Sequence, residues 1–148
     1  MPPSWGTYPD TVVCFPESGL RIDLRRPPAP HDLRALADLG LTGAFGIVTA
    51  CNPLGRSLED SVNIRLTAVL TAVVVDRYPG ARLAQGSSPD GTHTEPGWAI
   101  PASLQEIKTL AARFLQNAVF WFDAGCFSIV PVLASLPPLP LPSRREAP

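Results

Sequence analysis

Proline placement is the feature that most constrains this chain. Eighteen of its 148 residues are proline, more than twice the usual share of about 5%. Seven fall in residues 1–30, five in 137–148, and only six in the 106 residues between. Proline fixes φ and has no N–H to donate, so a proline-rich stretch is a poor helix or strand interior. Regular structure is therefore expected in the middle. The division predicted is a flexible N-terminus over 1–7, a single domain over 8–134, and a proline-rich disordered tail over 135–148. The run Leu136-Pro137-Pro138-Leu139-Pro140-Leu141-Pro142 reads as extended, polyproline-like chain. Such a segment can dock on an aromatic groove of a partner, although an inert tail is the simpler reading.

Inside the domain, the pattern alternates between two periods. Leu20, Ile22 and Leu24 interleave with Arg21, Asp23 and Arg25, the period of a half-buried strand. With Thr11 to Phe15 before them and Glu17-Ser18-Gly19 between, they predict a hairpin. Asp32 is the expected cap of a short helix ended by Gly40. Ala44 to Ala50 is a short apolar run with no period, as in a central strand covered on both faces. Ser57 with Asp60 imitates a capping box for a helix running to about Asp76. Its expected core stripe is Val62, Leu66, Val69, Leu70 and Val73.

Arg82 to Gln85 and Trp98 to Ile100 flank the turn Ser88-Pro89-Asp90-Gly91. Ser103 and Glu106 form a second capping box, above a stripe of Ile107, Leu110, Ala111 and Phe114. A three-residue loop, Asp123-Ala124-Gly125, joins the last two apolar runs. The order ββαβαββαββ, with hairpins at three places, predicts an α+β fold. Its sheet is mostly antiparallel and mixed, with about three helices packed on it.

Composition excludes several function classes. Twelve basic residues against thirteen acidic ones give a net charge of −1, so there is no basic excess to follow a phosphate backbone and nucleic acid is not an expected partner. No continuous run of about 20 apolar residues is present, so no membrane span is expected. Nor does the N-terminus carry a basic and then apolar leader. Cys14, Cys51 and Cys126 are scattered, there is no CxxC, and His31 and His93 stand far apart. Neither a disulfide framework nor a zinc site is indicated, and no metal or cofactor is expected. Three small hydrophobic cysteines suit a reducing compartment, hence a soluble, cytoplasmic protein. The phosphate loop, GxGxxG, GxSxG and HExxH motifs are all absent.

Three marks stand out in the middle of the chain. One is Phe45-Gly46-Ile47-Val48-Thr49-Ala50-Cys51-Asn52-Pro53-Leu54-Gly55, a strand closing in T-A-x-N-P-x-G. The next is Asn63 ahead of Leu66 and Leu70 on the following helix. The last is Glu95-Pro96 together with Phe114-Leu115-Gln116-Asn117-Ala118-Val119-Phe120-Trp121. In this order and spacing they resemble the domain of unknown function 3293 family of small bacterial proteins, over about residues 44–122. The resemblance implies a fold and a motif map, since that family carries no assigned activity.

The same residues form a polar constellation. Thr49 and Asn52 stand where the most buried strand ends. Gly55 allows close backbone approach, and a helix begins soon after. A helix N-terminus in that position can favour an anion or carboxylate, whereas an Asx-type turn is the plainer explanation. Pro96 holds the backbone of Glu95 extended. Asp90 and His93 lie close to it in sequence, so acid–base work is conceivable, although an exposed turn explains Asp90 and His93 equally well. Gln116 and Asn117 join a helix to a buried strand, and Asn63 lies near the core stripe and needs an internal partner. Cys51 sits by a helix start, which can lower a thiol's pKa.

The ligand-binding set expected is Thr49, Asn52, Gly55, Asn63, Glu95, Gln116 and Asn117, with no catalytic residue assigned. A domain that binds a small polar ligand or a protein partner near Asn52 is the leading expectation. One alternative is a hydrolase- or transferase-like enzyme with Glu95 as acid or base. Another is an interaction module using the apolar hairpin 118–132 or the tail.

Overall fold

A computed structural model of the chain describes residues 5–143. Its elements are β1 (Val12–Phe15), β2 (Leu20–Asp23), α1 (Pro30–Asp38), β3 (Phe45–Thr49), α2 (Asp60–Arg77), β4 (Arg82–Ser87), β5 (Thr94–Ile100), α3 (Leu104–Arg113), β6 (Ala118–Asp123), β7 (Cys126–Pro131) and β8 (Leu139–Pro140). The strands form one eight-stranded sheet in the order β2-β1-β4-β5-β3-β6-β7-β8, and every neighbouring pair is antiparallel. The fold is α+β, as the pattern predicts, with one strand more.

β3 lies in the interior of the sheet, between β5 and β6, and all its residues but Thr49 are buried. Two cores flank it. On one face Val48, Ile100 and Val119 meet Leu70 and Val74 of α2 and Ile107, Leu110, Ala111 and Phe114 of α3. On the other face the sheet curls, so that Val13, Phe15 and Ile22 share a cluster with Phe45, Phe120, Phe127 and Ile129, joined by Leu36 of α1. Close approach needs glycine at two places. A Cβ on Gly46 would run into Ile107, and one on Gly97 would overlap the Val48 carbonyl oxygen.

Several local expectations change. Pro30 is the first residue of α1, so Asp32 sits inside the helix and its carboxylate accepts the Ala29 N–H at 2.9 Å. Ser57 caps nothing. The Leu58 N–H is drawn instead to Asn52 Oδ1, and α2 starts at Asp60 behind Glu59. The inward face of α2 is rotated in part from the predicted stripe: Leu66, Leu70 and Val73 do pack on the core, but its edge shifts. Leu70 and Val74 are buried, whereas Val62 and Val69 are exposed. Polar partners decide this rotation, because Asn63, Thr67 and Thr71 bond to Asn52, Cys51 and the Trp98 indole on the sheet side. The last hairpin pairs Asp123 with Cys126, which leaves a two-residue loop. Ala124 and Gly125 both have positive φ there, as a type I′ turn requires.

The described parts of both proline-rich margins make contacts that the sequence did not predict. Trp5, placed by sequence in a flexible segment, packs with Tyr8 against the core. In the tail, Leu139–Pro140 pairs with β7, and Leu141 is buried. The reason lies in the Leu-Pro alternation. Period two puts Leu139 and Leu141 on one face, and the Leu141 N–H still donates to the Phe127 carbonyl. Residues 1–4 and 144–148 lie outside the described residues.

Candidate functional site

The site is built around the turn that follows β3. Asn52 adopts left-handed backbone geometry, φ 50° and ψ 58°, which costs a non-glycine residue about 1 kcal/mol or more, least for Asn and Asp. Hydrogen bonds hold it there. Its N–H donates to Asn63 Oδ1 at 2.9 Å, and its Oδ1 accepts from Asn63 Nδ2 at 2.8 Å and from the Leu58 N–H at 3.0 Å. Its Nδ2 donates to Glu95 Oε1 at 2.9 Å. Leu54 and Gly55 continue the turn at positive φ, and the Leu54 N–H donates to the Leu115 carbonyl.

Gln116 ties the opposite side. It is buried, its Nε2 donates to the carbonyls of Cys51 and Phe114 at 3.0 and 3.1 Å, and its Oε1 accepts from Thr49 Oγ1 at 3.3 Å. Asn117 anchors the chain after β7, its carbonyl accepting from Val132 and Leu133. Its amide lies so near Gly55 that a Cβ there would come within 3.3 Å of Asn117 Nδ2.

These residues surround a cleft of about 1100 Å³, lined on one side by Thr49, Asn52, Gly55, Glu95, Gln116 and Asn117. The facing side comes from Trp5, Tyr8, Arg25 and Ser87. Asn63 belongs instead to a smaller cleft of about 510 Å³ behind Asn52 and Glu95, with Asp60, Thr67 and His93. Sequence reasoning missed the facing wall. Trp5 and Tyr8 sit in the proline-rich margin, and Arg25 looked like the exposed half of an alternating strand. An aromatic pair beside proline ahead of a strand was the available signal.

The electrostatics centre on Glu95. The one basic side chain within 4 Å of its carboxylate among the described residues is the exposed His93, whose Nε2 lies 3.7 Å from Oε1. Burial, and then the Glu95 charge, push the Tyr8 hydroxyl pKa up. Burial likewise pushes the Cys51 thiol up, against a weaker pull from the Thr67 hydroxyl, and the Glu95 charge adds to the rise. Cys51 is therefore a protonated thiol under neutral conditions, not the activated thiolate that proximity to a helix start suggested.

Two further expectations change here. Asp90 turns into its own loop, where Ser88 and Thr92 donate to its carboxylate and hold it down at about 2. It lines neither cleft, so it forms no carboxylate pair with Glu95. The start of α2 carries Glu59 as cap and Asp60 in its first turn, and carboxylates there oppose an anion.

The apolar hairpin β6–β7 is absorbed into both cores, and β8 covers its outer edge. Among the described residues no group of His, Cys, Asp and Glu is arranged to hold a metal ion. No described helix is long and apolar enough to cross a membrane.

Neither the curated proteins nor the solved structures contain a match to the chain. Thr49, Asn52, Gly55, Asn63, Glu95, Gln116 and Asn117 all fall within residues 48–119, the segment that matches the family model described as a protein of unknown function, DUF3293.

Proposed function

We propose that this protein binds a small polar ligand in the cleft beside Glu95. One observation carries the reading: Glu95 presents a carboxylate on the wall of a roomy cleft, fixed through Oε1 by an amide that is itself locked into a strained turn. A polar group immobilised at a concave, partly apolar surface is the usual make-up of a small-molecule site. Gln116 and Asn63 spend their amide groups internally, so their part is to hold the wall. Glu95 and Asn117 supply polar groups at the surface of the cleft, Tyr8 and Trp5 its aromatic side. A reducing, cytoplasmic setting belongs to the same proposal, supported by three cysteines that are all unbridged.

Fragment binding followed by amide and indole NMR shifts of the full chain tests it. Saturable shifts should gather at Thr49, Gly55, Asn117 and the Trp5 indole, and Glu95→Gln should remove them while thermal stability stays within a few degrees. Shifts gathered elsewhere, or unchanged binding in Glu95→Gln, overturn the assignment. The His93–Glu95 contact favours a second reading, in which Glu95 exchanges a proton with a bound substrate. Turnover of a bound fragment that is lost in Glu95→Gln while binding persists would select it.

A further inference from the structure

We infer that the ligand of this cleft is a small organic cation, an ammonium or amidinium group joined to a flat apolar body. The inference rests on the binding role proposed for the cleft and adds the chemistry of its occupant. Glu95 is a fixed carboxylate with no lysine or arginine in ion-pair range among the described residues, and the one basic side chain beside it is a solvent-exposed histidine at 3.7 Å. Arg25, the guanidinium on the opposite wall, is already committed. Its Nε and Nη2 bond the two carboxylate oxygens of Asp23 at 3.0 and 2.8 Å. A bidentate pair of this kind holds the guanidinium in place and leaves it little charge to offer an anion.

The field at the cleft has the sign a cation needs. Tyr8 and Cys51 sit on its lining, and the charge of Glu95 raises the pKa of both. The start of α2 after Asn52 does not oppose that sign, because it opens with Glu59 and Asp60. The apolar half of the ligand is read from the facing wall. Trp5 and Tyr8 pack edge to face with centroids 6.3 Å apart, and Tyr8 packs the same way on Phe120 at 6.0 Å. Aromatic faces attract cations and flat apolar groups. An ammonium or amidinium on Glu95 would leave its apolar body against these rings.

The test titrates the full chain with matched probes of equal shape: benzamidine, benzamide and benzoate, then phenethylamine, phenethyl alcohol and 3-phenylpropanoate. The readout is the NMR shift of the Trp5 indole and the Gly55 amide. The cations should bind at least tenfold more tightly than their neutral or anionic counterparts. Glu95→Gln should erase that preference, and Tyr8→Leu should weaken the cations with Glu95 intact. If Glu95→Gln fails to fold, the wild-type preference and Tyr8→Leu still decide the matter. Neutral or anionic probes binding at the cleft as well as the cations would overturn the cation inference and leave the small-ligand reading standing. Failure of every probe and of a wider fragment set to move these signals would overturn both.

Discussion

Asn52 Nδ2 donates to Glu95 Oε1 at 2.9 Å across 43 residues of chain. The bond joins the turn after β3 to the first residues of β5, and it sets the one carboxylate oxygen that this turn controls. It also divides the labour between two residues that look alike in sequence. Asn52 spends both ends of its amide on protein groups, so it holds the site together. Glu95 takes one such bond, so it remains available to the cleft.

That division predicts how each substitution behaves. Asn52→Ala removes the partners of Asn63, Leu58 and Glu95 and leaves a Cβ at positive φ. A loss of about 2 kcal/mol is expected, from part-buried groups left unpaired plus backbone strain. Asn52→Gly loses the same bonds without the strain, so it should be milder by about 1 kcal/mol. Urea unfolding of the two variants measures the gap. Equal losses would show that the turn stores no strain.

Six of the seven candidate residues line one cleft, and several carry a local reason to stand at an element's end: Asn52 before proline, Glu95 before proline, Gln116-Asn117 between helix and strand. The order of elements along the chain was legible from period and turn residues, and so was the core stripe of α3, where one face is purely apolar. Period failed on α2, whose inward face includes Asn63, Thr67 and Thr71, residues that look like a solvent face until their partners on the sheet are known. It failed again at the aromatic wall. Nothing local to Trp5 or Tyr8 announces that the sheet curls enough to bring Phe120 against them.

Gly97 should be the least replaceable glycine of the sheet. A Cβ there meets the Val48 carbonyl, a backbone atom that cannot move without breaking the β3–β5 pairing. On Gly46 the obstacle is the Ile107 side chain, and a shift of α3 that leaves the strand pairing intact can relieve it. Gly97→Ala is expected to cost several kcal/mol, about twice the loss from Gly46→Ala. Thermal melts of both variants rank them, and the reverse order would contradict the strand register.

Thiol labelling at neutral pH should separate the cysteines. Cys126 is exposed, whereas Cys51 is buried with its pKa pushed up by burial. The thiolate is the reactive form, so Cys126 should react with an aromatic disulfide at least a hundredfold faster than Cys51. Rapid labelling of Cys51 in the folded protein would return it to the list of candidate nucleophiles.

Asp90 gives the acid-side signature. Its folded pKa is lowered from 3.8 to about 2 by bonds from Ser88 and Thr92. A depressed carboxylate stabilises the fold above its unfolded pKa and loses that contribution as pH falls through the folded value. The part of the stability that Asp90→Asn removes should therefore fade between about pH 4 and pH 2. Carboxyl NMR titration should place the Asp90 midpoint near 2, and a midpoint near 4 would show the loop open in solution.

The tail supplies the last prediction, because sequence and structure disagree there. As free polyproline-like chain, residues 137–148 could be deleted without consequence. In the fold, Leu141 is 6% exposed, its N–H donates to the Phe127 carbonyl, and Leu139 pairs with Ile129. Replacing a buried leucine by alanine costs about 2–3 kcal/mol at the lower end of core sites. For a domain of this size that is a fall of about 5–10 °C in Tm. Leu141→Ala should show that fall by calorimetry. Deleting 137–148 should exceed it, since deletion also bares the outer edge of β7, whose unpaired N–H and C=O groups invite edge-to-edge association. Light scattering should then reveal concentration-dependent assembly of the truncated chain. A truncated chain that melts with the intact one and stays monodisperse would mean that β8 detaches in solution and that β7 is the true edge of the sheet.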